Sequence, residues 1–156
     1  MTKACAQRSH PGESLESVRV ADAMHHGVVT CRPAAPLSAV ARLMAAHRIH
    51  AVVVADERDG SGWGLVSDLD LAAAVCDGFR TNLTAGEMAA KPGLFVRPDE
   101  TVAHAAQLMR DYNSQHLIVL GRGSERPVGI VSTLDLADVV AELPRPCESE
   151  RNGSES

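Results

Sequence analysis

Residues 64–75 read GLVSDLDLAAAV, and residues 129–140 read GIVSTLDLADVV. The same dozen positions occur twice, with Gly, Val, Ser, Leu, Asp, Leu, Ala and Val held in place each time. The likeness extends upstream. Laying residues 31–75 over 96–140 needs no gap. It aligns Arg32-Pro33 with Arg97-Pro98, Leu43-Met44 with Leu108-Met109, and Val54 with Val119. Met24 in VADAM aligns with Met88 in AGEM if one residue is inserted in the second copy. A chain of 156 residues built this way holds two copies of one small unit.

Each copy repeats one order of elements. VVTCRP and LFVRP are short β-rich runs ending at proline. LSAVARLMAAHRI places Leu37, Val40, Ala41, Met44 and Ala45 on one helical face, and TVAHAAQLMRDY does so with Val102, Ala105, Ala106 and Met109. AVVVAD and HLIVLG read as buried strands. ERDGSG and RGSERP read as turns. GLV and GIV start a further strand, after which Ser67 and Ser132 open a closing helix. The unit is β-α-β-β-α, an α+β fold. A unit of about 60 residues buries too little surface to stand comfortably alone. The two copies are therefore expected to pack on one another with pseudo-twofold symmetry, leaving two related clefts between them. The expected boundaries are a tail at 1–17, repeats at 18–80 and 81–142, and a second tail at 143–156, because both ends mix Ser, Gly, Pro and charge without periodicity.

Composition narrows the function. Apolar residues make up 45% of the chain and aromatics only 3%, so the core is built of Ala, Val, Leu, Ile and Met. A formal charge of −5 without a basic stripe argues against nucleic acid as partner. No apolar run is long enough to span a membrane, and the N-terminal residues lack the apolar core of a secretory signal, so the expected location is the cytoplasm. Cys5, Cys31, Cys76 and Cys147 form no CxxC pair and are expected to be free thiols. His25-His26, His47 and His50 lack the carboxylate or thiolate company of a metal site. No nucleophile elbow, phosphate loop or dinucleotide fingerprint occurs, so the chain is expected not to be an enzyme.

The order of elements, together with two G-h-V-S-x-x-D blocks at matching offsets, resembles the CBS domain. Two in tandem are similar to a CBS pair, or Bateman module, over residues 18 to 142. The resemblance implies a stand-alone regulatory module with no obligatory cofactor. It would bind AMP, ADP, ATP or S-adenosylmethionine between the repeats, assemble as a homodimer and signal to an effector protein. It implies that Asp70 and Asp135 hold ribose hydroxyls, with Ser67 and Ser132 near ribose or phosphate. Val28, Val29 and Thr30, and Leu94, Phe95 and Val96, would pocket the base. His50 would reach phosphate, with Gln115 and the adjacent His116 in the second copy. The chain departs from the family pattern in several places. Val53 and Ile118 stand where proline is common, Phe95 replaces Thr30, and Leu69 and Leu134 precede the aspartates where a polar residue sometimes helps. The two sites are therefore expected to be unequal.

The Ser-x-x-Asp spacing also fits a capping box that satisfies backbone N–H groups at a helix start. The usual partner in such a box is Glu, and a short Asp is better suited to leaving the cap and gripping vicinal hydroxyls. Two readings therefore stand: a ligand-sensing module, or an interaction module with closed pockets that acts through homodimerisation.

Overall fold

Two strands with no polar face set the architecture. In the computed structural model, which describes residues 15–55, 62–89 and 93–143, the elements run α1 (Val20–Ala23), β1 (His25–His26), β2 (Thr30–Cys31), α2 (Leu37–His47), β3 (Ala51–Val54), β4 (Gly64–Ser67), α3 (Asp68–Cys76), α4 (Ala85–Met88), β5 (Phe95–Val96), α5 (Val102–Asp111), β6 (His116–Leu120), β7 (Pro127–Ser132) and α6 (Thr133–Glu142). Every residue of β3 and β6 is buried. Side chains alternate across a strand, so unbroken burial means that both faces are covered. Val52 and Val54 join one core with α2 and α3, while Leu117 and Val119 join another with α1 and α5. The intervening residues Val53, Ile118 and Leu120 meet in a third core between the repeats. The β-α-β-β-α pattern is present twice, and the class is α+β.

The two sheets match. In the first, β2 pairs parallel with β3 and β3 antiparallel with β4, with Ala51 opposite Ser67. In the second, β5 pairs parallel with β6 and β6 antiparallel with β7, with His116 opposite Ser132. The helices carry their apolar residues at helical spacing: Leu37, Val40 and Met44 on α2, and Val102, Ala105 and Met109 on α5. Helix α2 stops at Arg48, which turns left-handed at φ 53°, two residues before the expected end. Its apolar stripe is narrower than expected, since Ala45 lies in solvent.

The segment ahead of each repeat packs on the other repeat. Val20 and Met24 are buried with Val96, Leu117 and Val131 of the second sheet. Ala85, Leu83 and Met88 sit with the core of the first. Matching backbone bonds fix both crossings. Val102 N–H donates to Val18 at 2.9 Å, and Leu37 N–H to Leu83 at 2.8 Å. Ala21 N–H donates to Pro98 at 2.9 Å, and Gly86 N–H to Pro33 at 2.8 Å. Met24 and Ala89 then occupy the same C-cap position, donating to Val20 and Ala85. Met24 therefore corresponds to Ala89, and the inserted residue that would match it to Met88 is not needed.

The strand β1 extends one crossing further. It adds to the second sheet beside β7, with His25 opposite Ile130 and His26 opposite Gly129. Gly129 permits this approach. A Cβ there would collide with the His25 carbonyl oxygen and lie 2.8 Å from the Met24 methyl. The segments expected to be tails lie outside the described residues apart from 15–17 and Leu143, as do most of the ERDGSG turn, Cys5 and Cys147.

Candidate functional site

The repeated dozen folds into a strand-to-helix corner. Ser67 ends β4 in extended backbone, and its hydroxyl accepts the Asp70 N–H at 3.3 Å. Asp70 Oδ2 in turn accepts from the Ser67 N–H at 2.7 Å and the Ser67 hydroxyl at 2.9 Å. Ser132 and Asp135 repeat the arrangement at the start of α6, at 3.4, 2.6 and 2.9 Å. Both corners are complete capping boxes, which satisfy N–H groups left over at a helix start. Aspartate is thus long enough to close the box, contrary to the expectation that it would leave the cap. The box occupies only Oδ2.

The other oxygen separates the two copies. Asp135 is 3% exposed, and its Oδ1 lies 2.9 Å from Nδ1 of His25, on the strand that crossed over from the start of the chain. Asp70 is half-buried, and its Oδ1 has no hydrogen-bond partner among the described residues. His25 was not singled out as a site residue from sequence, because its contact spans most of the chain. The available signal was a broken repeat, since His25-His26 align without a gap with Ala90-Lys91.

The neighbouring residues divide in the same way. His50 is exposed, and its Nδ1 lies 2.8 Å from Asp68 Oδ2, so the first residue of α3 holds the ring at the corner. Asp68 has Thr133 as its counterpart, and no sequence expectation named it. The Gln115 side chain is exposed, and its carbonyl accepts the Thr133 N–H at 3.0 Å, as that of His50 accepts the Asp68 N–H at 2.9 Å. His116 is buried and shares a strand face with Ile118 and Leu120, the face turned toward the first repeat. Burial pushes its imidazole below the ordinary histidine range. Asp68 counters this, His50 adds to it, and Asp135 and Asp70 counter it again. Groups of both repeats therefore act on one ring.

The residues expected around a base scatter more. Val28 and Phe95 pack against the core between the repeats. Val29 is half-buried and its carbonyl accepts the Val53 N–H at 3.0 Å, while Thr30 is exposed. Leu94 and Val96 belong to the second repeat's own core, with Val96 only 2% exposed. Trp63 leans on the core between the repeats and donates its indole N–H to the Glu125 carbonyl at 2.8 Å. Arg97 of the second Arg-Pro pair donates to the Gly121 and Ser124 carbonyls at 2.7 Å, tying down the turn before β7. Among the described residues no group of three or more His, Cys, Asp or Glu is placed to hold a metal ion. No described helix is long and apolar enough to cross a membrane. Cys31 and Cys76 are free, and burial pushes the Cys31 thiol up.

Two interlocked β-α-β-β-α repeats, each with a Ser-Asp corner at a helix start, define a tandem-repeat architecture. The sequence pattern of the CBS domain matches residues 20–77 and 85–142, and the chain belongs to that family as a tandem pair. Solved structures agree on the fold. The hexameric CBS-CP12 protein from bloom-forming cyanobacteria is 22% identical, with a TM-score of 0.73 over 82% of this chain and 76% of that one. The CBS domain pair of protein MJ0100, in complex with 5′-methylthioadenosine and S-adenosyl-L-methionine, is 24% identical, with a TM-score of 0.71 over 80% and 96%. The CBS domain protein PAE2072 from Pyrobaculum aerophilum, complexed with AMP, is 24% identical, with a TM-score of 0.69 over 80% and 97%. No curated protein matches the chain.

Proposed function

We propose that this chain is a non-catalytic regulatory module that binds an adenine nucleotide or adenosyl compound at the Ser67–Asp70 corner and passes the change to a partner protein. The observation that carries the reading is the Asp70 carboxylate. One oxygen is fixed by the capping box, and the other has no hydrogen-bond partner among the described residues. A carboxylate oriented this way is prepared to accept a ribose hydroxyl, and a hydrogen bond to a charged group contributes about 1.5–3 kcal/mol. His50, held at the same corner by Asp68, supplies a polar edge for the 5′ substituent. The similarity to structures that hold AMP, 5′-methylthioadenosine and S-adenosyl-L-methionine supports the ligand class.

The test is a calorimetric and melting panel with AMP, ADP, ATP, 5′-methylthioadenosine and S-adenosylmethionine. A ligand at 100 times its Kd stabilises by about 2.7 kcal/mol, which raises Tm by about 5–10 °C. Asp70→Asn keeps the side-chain size and removes the charge, and it is expected to cut that rise to about half or less. A panel with no binder, or a rise that Asp70→Asn leaves undiminished, overturns the reading.

A second reading, assembly as a homodimer, is favoured by a different observation. Leu69 and Val75 of α3 are 59% and 66% exposed, and their repeat partners Leu134 and Val140 of α6 are 61% and 54% exposed. Four large apolar side chains at repeat-related positions suit an isologous contact between two copies.

A further inference from the structure

The two corners share the Ser-x-Leu-Asp pattern and the same capping box, yet among the described residues only one has an occupant. His25 Nδ1 stands 2.9 Å from the oxygen of Asp135 that the box leaves over. The histidine is not carried there by chance packing. Its backbone lies in register with β7, His25 opposite Ile130, and Gly27 N–H donates to the Val128 carbonyl at 2.8 Å. Gly129 gives the strand room to sit that close. The ring itself is 77% exposed, so its removal takes no core packing with it. At the same offset the chain has Ala90 where His25 stands, and an alanine side chain offers no hydrogen-bond donor.

We infer that His25 is a built-in competitor for the second adenosyl site. It takes the Asp135 oxygen that would otherwise accept a ribose hydroxyl, so the chain binds one ligand, at Asp70, and holds the Asp135 site shut. This rests on the ligand reading proposed above. The imidazole and a ribose hydroxyl need the same acceptor and cannot both donate to Oδ1 in the same direction. Ligand entry at the second corner therefore requires the ring to swing into solvent, which its exposure permits. The two sites of one chain then differ in affinity because of a residue outside the repeated block.

The experiment is isothermal titration of the full chain with AMP and with 5′-methylthioadenosine, reading the number of sites. One site is expected for the parent chain and for His26→Ala, which alters the neighbouring histidine and leaves the contact intact. Two sites are expected for His25→Ala, and one again for His25→Ala/Asp135→Asn, in which the amide still offers an oxygen to the capping box. Melting curves check that His25→Ala remains folded, and Asp70→Asn in the His25→Ala background is expected to leave one site. If the parent chain already shows two sites, or His25→Ala shows one, the competitor role is overturned and the ligand reading stands. If neither protein binds these two or any other compound of the five-member panel, both fall.

Discussion

A carboxylate has two oxygens, and in each repeat the helix cap claims one of them. What happens to the second decides what the residue can do. Asp135 spends both inside the molecule, on Ser132 and on His25. Removing its buried side chain takes the acceptor from the part-buried Ser132 N–H and from His25 together, which costs about 1–3 kcal/mol. Asp70 is less buried, and water can replace its side chain at the Ser67 N–H, so the loss there is expected to be about 1 kcal/mol or less. Urea unfolding of Asp70→Ala and Asp135→Ala without ligand is expected to place Asp135→Ala lower, and the reverse order would contradict the difference drawn between the two corners. His116 allows a second measurement at this scale. Burial depresses its pKa in the fold, so between that value and the ordinary 6.5 the unfolded chain binds the proton that the native chain refuses. The stabilising contribution is present above pH 6.5 and is lost as pH falls below it. Tm is expected to drop between pH 7.5 and pH 5.5, and His116→Gln is expected to flatten that part of the curve. An unchanged slope would mean that other groups govern the acid limb.

Elements differ in how far their own residues announce them. The central strands, the four longer helices and the Ser-Asp corners were legible in the sequence, because periodicity, run length and a capping signal are local properties. The short elements α1, β1 and α4 were not. Each is four residues or fewer, and each is held by backbone bonds to the opposite repeat. The same limit applies to the site. Ser67, Asp70, Ser132 and Asp135 stood out by repetition, whereas the role of His25 depends on a strand pairing that no local pattern encodes. Phe95 and Val96 illustrate a third case. Adjacent residues of one strand face opposite ways, so one packs between the repeats and the other in the second core. The crossing strand can be tested through Gly129. A methyl group there meets the His25 carbonyl, which is backbone and cannot swing aside. Gly129→Ala is expected to cost about 1–3 kcal/mol, as overpacked sites do. It is also expected to speed amide exchange at Gly27, whose N–H bonds to Val128 in this pairing. Exchange at Gly27 that stays at the parent rate would show that β1 tolerates the methyl group.

The whole molecule joins these levels by exchange. Each repeat contributes its leading segment to the other's core, and Val53, Ile118 and Leu120 close the seam between the sheets. Neither repeat can then loosen alone without disturbing its partner. The outer surface follows the same internal symmetry. Leu69 and Leu134 hold equivalent places one residue ahead of the two aspartates, and both lie mostly in solvent. In the dimer reading, pairing of two chains covers both, and full burial of a leucine contributes about 1.5–3 kcal/mol. Replacing both with glutamate removes four leucines from the contact and sets like charges against one another. Because neither side chain serves the cores, the circular dichroism spectrum is expected to stay the same. Light scattering behind a sizing column is expected to move from twice the chain mass to the chain mass, with dissociation strengthened at least about 100-fold, since only about 2.7 kcal/mol of the lost burial is needed for that change. A parent chain that elutes as a monomer at micromolar concentration would overturn the dimer. A double variant that stays dimeric would place the contact on another face.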